Sequence, residues 1–257
     1  MSFKNKVVLI TGASSGIGAV TAIEFTKNGA NVAIVGRNME KLQKVADCCG
    51  KVGPKPLIIK ADISIDDEAK KIVAQVINTF DKLDVLVNNA GLMHTGSILE
   101  GNIVDAYDKT MKVNVRAHIN VTSLAAPHLI NTKGNVINIS SVAGSAVPVF
   151  NGGTPYCVSK AALNHFTRCA AKELANEGVR VNTVSPGPVK TDFLVNAGNT
   201  EMKIEDFGAR MPLKRVSESV EIADVILFLA SDKAVGITGS EYVVDNGYLV
   251  SNPVNEG

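Results

Sequence analysis

Short runs of β-branched and aliphatic residues recur along the chain at 7–10, 31–35, 57–60, 84–87, 135–139, 179–184 and 241–244. Runs this short, bounded by polar and glycine-bearing stretches, read as strands buried on both faces. Between them lie longer segments in which apolar residues return every three or four positions: 16–28, 38–50, 66–80, 103–130, 155–176 and 218–230. Several open on Asp or Ser and close near Gly or Asn, as helices do. Regular alternation of strand and helix predicts an α/β fold, a doubly wound parallel sheet of about seven strands with helices on both faces.

One stretch, 186–217, breaks the alternation. It is polar and carries glycine together with Phe193, Leu194, Met202, Phe207 and Met211. It reads equally as a lid over a site and as an ordinary surface loop with a short helix. No repeat or linker interrupts the rest, and 46% hydrophobic content over 257 residues suffices for one core. Residues 1–257 are therefore expected to form a single domain, a length that such sheets reach without splitting.

Charge changes the picture mainly by exclusion. With 26 basic and 25 acidic residues the net charge is +1, which leaves no electrostatic footprint for nucleic acid or an anionic membrane. Met1–Lys6 runs directly into Val7–Ile10, too short for a signal segment or a membrane span, so a cytoplasmic protein is expected. Cys48, Cys49, Cys157 and Cys169 form no Cys-x-x-Cys pair and have no histidine at ligand spacing. They read as reduced, small apolar fillers, and no metal site is expected.

Candidate chemistry begins where the first strand ends. Thr11-Gly12-Ala13-Ser14-Ser15-Gly16-Ile17-Gly18 runs straight into a helix. Glycines at Gly12, Gly16 and Gly18 permit a tight turn and let backbone approach a pyrophosphate, which would sit on the amides and positive end of the helix dipole. The Gly-x-x-x-Gly-x-Gly spacing resembles that of the short-chain dehydrogenase/reductase family, and further motifs follow in the family's order. Asn88-Asn89-Ala90-Gly91 follows the fourth strand. Asn114 stands in Lys112-Val113-Asn114-Val115, Ser141 in Asn138-Ile139-Ser140-Ser141-Val142-Ala143-Gly144, and Tyr156 and Lys160 in Tyr156-Cys157-Val158-Ser159-Lys160. Pro186-Gly187-Pro188-Val189-Lys190-Thr191 comes last.

The resemblance covers nearly the whole chain and implies a Rossmann-type fold that binds a nicotinamide dinucleotide. It places Gly12, Ser14, Ser15, Gly16, Ile17 and Gly18 at the phosphates, and Asp62 with Ile63 at the adenine. It places Asn89, Ala90 and Gly91 along the cofactor, and Pro186, Gly187, Val189 and Thr191 around the nicotinamide. At the end of the second strand stand Gly36, Arg37 and Asn38, where an NAD enzyme usually carries an acid for the ribose hydroxyl. A guanidinium can instead clamp a 2′-phosphate, with room left by Gly36 and a hydroxyl from Ser15. NADP(H) is therefore the expected cofactor, with NAD(H) left open.

Tyr156 and Lys160 stand four apart at the start of a helical segment and share a face. An unperturbed phenol has a pKa of about 10, and a neighbouring ammonium favours its phenolate. The resemblance implies that Tyr156 exchanges a proton with the substrate oxygen during hydride transfer and that Ser141 bonds the same oxygen. Lys160 would also hold the nicotinamide ribose, and Asn114 a water that relays protons from Lys160. Ser140 and Thr154 are the substitutes for Ser141, because the 15-residue gap to Tyr156 carries Pro148, Gly152, Gly153 and Pro155. His118, His128 and His165 read as helix residues of core or surface, and His94 as a loop residue near the substrate entrance.

The expected activity interconverts a ketone or aldehyde and an alcohol. A 3-oxoacyl thioester reductase shares every motif, with Lys190, Lys203, Lys214 and Arg215 as a basic rim for its carrier. A nucleotide-binding regulator without turnover is a third reading, against which the intact Ser141, Tyr156 and Lys160 argue. Val147, Val149 and Phe150, with the apolar residues of 186–217, suggest an apolar small-molecule substrate. The resemblance implies a homotetramer or homodimer packed through helices 103–130 and 155–176.

Overall fold

The structure is a computed structural model and describes residues 1–148, 151–193 and 204–251. Seven parallel strands form one sheet: β1 (Val7–Thr11), β2 (Asn31–Gly36), β3 (Leu57–Lys60), β4 (Val85–Asn88), β5 (Asn135–Ile139), β6 (Arg180–Pro186) and β7 (Glu241–Val244). Their order across the sheet is β3-β2-β1-β4-β5-β6-β7. The chain winds outward in both directions from β1 and β4, so a crevice opens at the carboxyl ends of these two strands.

Alternation within strands divides the core. Val8 and Ile10 of β1 face one layer, with α1 (Gly16–Lys27), α2 (Met39–Gly50) and α7 (Ser219–Ala230). Val7 and Leu9 face the other, with α3 (Asp66–Phe80), α5 (His118–Thr132) and α6 (Thr154–Leu174). A side-chain period of two on strands covered from both sides explains why the strands read as unbroken apolar runs.

The expected helix over 103–130 is not continuous. α4 (Ile103–Met111) passes into a π-helical segment, Lys112–Ala117, before α5 begins. The wider turn brings Asn114 and His118 inward, both fully buried. Lys-Val-Asn-Val-Arg-Ala holds no glycine or proline, so periodicity gives no warning of the change; it is set by buried bonds to the loop after β4, described below. Other boundaries move by one or two residues. Glu218 falls outside α7 and closes a capping box with Glu221.

In the 186–217 stretch, Val189 pairs with Ser217 in an isolated bridge, and a 3-10 segment spans Ile204–Arg210. Met211, expected in an apolar lid, is fully buried in the fold. Leu194, Met202, Lys203, Val149 and Phe150 lie outside the described residues.

At the amino ends of the two central strands, opposite the crevice, buried Asp84 accepts from the Val7 amide at 2.9 Å and pairs with Lys6 and Lys82, each at 3.1 Å. Asp84→Ala should leave the Val7 amide without an acceptor and destabilise the fold by about 1–3 kcal/mol. Denaturant unfolding measures this loss, and dinucleotide affinity of the folded protein should stay unchanged.

Candidate active site

Strand ends gather the site. β1 ends at Thr11, whose buried hydroxyl oxygen accepts from the Asn89 amide at 3.0 Å and the Ala90 amide at 3.1 Å. The Asn89 side chain returns two bonds of 3.0 Å, to the carbonyls of Thr11 and Gly12. Gly12 (φ +65°) and Gly18 must be glycine for a steric reason. A Cβ would stand 2.6 Å from Ala90 Cα in the first case and 2.4 Å from Asn89 Nδ2 in the second. Ser15, the N-cap of α1, makes no side-chain bond to the first-turn amides, and that turn carries no acid. Those amides face the crevice as an anion cradle.

A cleft of about 760 Å³ runs from this cradle to the β5 and β6 ends. It brings together all the residues expected around the dinucleotide except Gly18, which packs behind the cradle, and all the expected catalytic residues except Asn114. Arg37 follows β2 with its side chain 72% exposed, 3.8 Å from Asp62. Gly36 offers less room than expected, because a Cβ there would meet Ser14 Cβ at 3.3 Å and Leu42 at 3.4 Å. The hydroxyl beside Gly36 is that of Ser14, 3.4 Å from the same point.

Ser141 lies beyond β5, its hydroxyl directed to the Pro186 carbonyl at 3.5 Å and accepting from the Ala143 amide at 3.2 Å. Ser140 is tied instead to the Lys160 carbonyl at 3.2 Å, and Thr154 is not among the cleft residues. Of the three hydroxyls, Ser141 is thus the one presented to Tyr156. Burial pushes the Tyr156 phenol up to about 12, opposed by its hydrogen bond from Ser141. The ammonium of Lys160 lies 5.5 Å from the centre of the Tyr156 ring and donates to the Ile139 carbonyl at 2.9 Å. Burial lowers Lys160 itself to about 8. Sequence spacing points to an ammonium favouring the phenolate; in the fold, desolvation is the largest influence on the phenol and acts the other way.

Asn114 stands behind the cleft. Both its side-chain donors are engaged, with Leu92 O at 2.8 Å and Ser159 Oγ at 3.0 Å, and its oxygen accepts from Leu92 N at 2.9 Å. Any water that it held would fall to other atoms than these donors. His94 is exposed and is not a cleft residue.

Several cleft residues escaped the sequence reading. Lys41, in the first turn of α2, pairs with Asp192 at 3.6 Å across the mouth; its place four residues after Arg37 was an available signal. Cys157 and Tyr248 also line the cleft, while Phe193, expected from the sequence as an apolar residue of 186–217, tilts against Tyr156 with ring centroids 5.6 Å apart. Tyr248 follows the last strand, where no local pattern marks it. His118 is fully buried behind Ala90, and burial, reinforced by the Lys160 charge, lowers its pKa to about 3.

A crevice at the switch point of a doubly wound sheet, with a glycine cradle and a Ser, Tyr and Lys cluster, defines a dinucleotide-dependent oxidoreductase fold. A family model described as enoyl-(acyl carrier protein) reductase matches residues 12–249. The chain is 39% identical over 256 residues to an uncharacterized oxidoreductase of Thermotoga maritima, covering 96% of this chain and 98% of that one. It is 36% identical over 255 residues to the 3-oxoacyl-acyl-carrier-protein reductase FabG of the same organism, covering 97% and 100%. A short-chain dehydrogenase from Burkholderia cenocepacia, solved in complex with NADP, superposes with a TM-score of 0.89 at 32% identity, over 97% of this chain and 100% of that one. The chain belongs to the short-chain dehydrogenase/reductase family and is an oxidoreductase. The family binds a nicotinamide cofactor, and the uncapped α1 amides and close-packed glycines fit such a group.

Gly18→Ala should abolish dinucleotide binding, measured by titration calorimetry, because the new methyl overlaps the Asn89 amide that orders the cradle. A pH effect follows from His118. Its ring is neutral in the fold at about 3, whereas the unfolded ring titrates at 6.5. Below 6.5 the unfolded chain takes up a proton that the fold refuses, so stability falls with acidification. Between pH 8 and pH 5 this should remove about 2 kcal/mol. Denaturant unfolding should show the loss in wild type and not in His118→Gln.

Proposed function

We propose that the protein is an NADP(H)-dependent oxidoreductase that interconverts a ketone or aldehyde and its alcohol, with Tyr156 as general acid and base. The observation that carries this reading is the meeting of Ser141, Tyr156 and Lys160 in one cleft with the phosphate cradle. When bound, the nicotinamide supplies or accepts the hydride and, oxidised, adds a positive charge beside the phenol. A phenol held near 12 stays protonated at neutral pH and is ready to give its proton to a carbonyl oxygen in reduction. Ser141 donates to the same oxygen and steadies the charge that develops there. Lys160, fixed by the Ile139 carbonyl, holds the ribose and favours the phenolate in the oxidative direction. Asn114 acts by fixing the backbone at Leu92.

Support for NADP(H) over NAD(H) comes from Arg37. Its pairing with Asp62 is long and exposed, and such pairs are weak, about 0–1 kcal/mol. A dianionic 2′-phosphate outcompetes one carboxylate for the guanidinium. The lining of the cleft includes Val147, Cys157, Phe193, Ile204, Phe207 and Tyr248, with Phe193 against the Tyr156 ring, which suits an apolar small molecule. The carrier-thioester alternative draws support from the FabG relative. Its expected basic rim is partnered among the described residues, Lys190 with Glu218, Arg215 with Glu221, and Lys214 with the Ala209 carbonyl, so a carrier would have to displace these groups. The exposed Ile98, Leu99, Val104 and Tyr107 beside and on α4 support assembly into a homodimer or homotetramer.

Tyr156→Phe should cut turnover about a hundredfold to ten-thousandfold while dinucleotide still binds; activity above a tenth of wild type would reject the role. Arg37→Ala should weaken NADPH about tenfold to hundredfold and leave NADH nearly unchanged. The ratio of kcat/KM with the two cofactors measures this, and an unmoved ratio would sink the cofactor assignment. Simple apolar ketones should exceed 3-oxoacyl thioesters in kcat/KM; the reverse order would favour the carrier-thioester reading.

A further inference from the structure

His118 and Asn114 stand one turn apart and grip one short piece of backbone. Asn114 bonds both the amide and the carbonyl of Leu92, at 2.9 and 2.8 Å. His118 Nε2 lies 2.7 Å from the Ala90 carbonyl. A carbonyl only accepts, so Nε2 carries the hydrogen. Nδ1 of the same ring is buried with no hydrogen-bond partner among the described residues. A bare imidazole nitrogen tolerates that position, whereas a second N–H there would be a buried donor without an acceptor. The charge of Lys160 disfavours a cationic ring further. Between the two grips lies Gly91, where a Cβ would stand 3.6 Å from Asn114 Oδ1 and 3.7 Å from Lys160 Nζ. Ala90, Gly91 and Lys160 all line the cleft, and the side-chain position that Gly91 leaves empty faces the Lys160 ammonium.

We propose that neutral His118, donating from Nε2 to the Ala90 carbonyl, is a positioning residue that fixes the Ala90–Gly91 backbone against Lys160 in the dinucleotide site. Asn114 holds the segment at Leu92 and Thr11 holds it at the Ala90 amide; His118 fixes the Ala90 carbonyl between them and so the direction in which the peptide joining residues 90 and 91 faces the cofactor. The proposal rests on the reading of the cleft as a dinucleotide site, but its first test needs no cofactor. Nitrogen-15 spectra of the wild-type imidazole should show Nε2 protonated and Nδ1 bare from pH 8 to pH 5, and a ring that titrates in this range would overturn the assignment. His118→Leu keeps bulk and loses the donor, and should raise the Kd for NADPH about tenfold to hundredfold. His118→Gln, with an amide N–H in place of Nε2, should restore affinity towards wild type. A Leu variant that binds as wild type overturns the proposal. So does a Gln variant that binds NADPH normally yet loses turnover, because that would place the ring in proton transfer. Wild type that binds neither NADPH nor NADH would overturn the dinucleotide reading and this proposal together, whereas the Leu and Gln results bear on this one alone.

Discussion

Thr11 ends β1 with a buried hydroxyl that receives two backbone amides from the segment after β4, and Asn89 answers with two bonds to the carbonyls of Thr11 and Gly12. The two central strands are thereby locked together at the point where the sheet's winding reverses. Backbone groups buried at that point have no water to fall back on, so each bond that is missing costs its full desolvation. From the far side Asn114 and His118 complete the coordination of the same segment. Gly12 and Gly18 can pack against it only without side chains, and Lys160 reaches the site across Gly91. The glycine cradle, the Ala90–Gly91 backbone and Lys160 thus share one reference point.

Electrostatics of the interior follows from the same close packing. Tyr156, Lys160 and His118 are each driven by burial towards their neutral forms, to about 12, 8 and 3. A site that resists holding charge on its own groups makes any charge brought by a ligand count heavily, because it acts where water is excluded. The mouth is the opposite. Arg37, Lys41, Asp62 and Asp192 form exposed, long pairs there, and water screens them. Exposed charged pairs and buried groups held towards neutrality are in this way separated along one cleft.

Periodicity and motif order determined much of this by themselves. The seven strands, the alternating helices, the glycine cradle and the group of Ser141, Tyr156 and Lys160 were all legible, because each depends on residue types at short sequence separation: an apolar run, a glycine turn, a four-residue helical spacing. Tertiary structure alone decided the rest. The π-helical turn at Lys112–Ala117 is imposed by bonds to Leu92 and Ala90, more than twenty residues away in the chain. The same distance hid the role of His118, which read as an ordinary helix residue. Ser140 and Ser141 are neighbours of equal chemistry, and only the backbone of α6, which takes the first, leaves the second to the phenol. The phenol's own pKa could not be read from its spacing to Lys160, since desolvation depends on everything packed around the ring. Sequence carries what neighbours along the chain dictate; burial and the partners of buried polar groups come from chain segments that meet only once the sheet has formed.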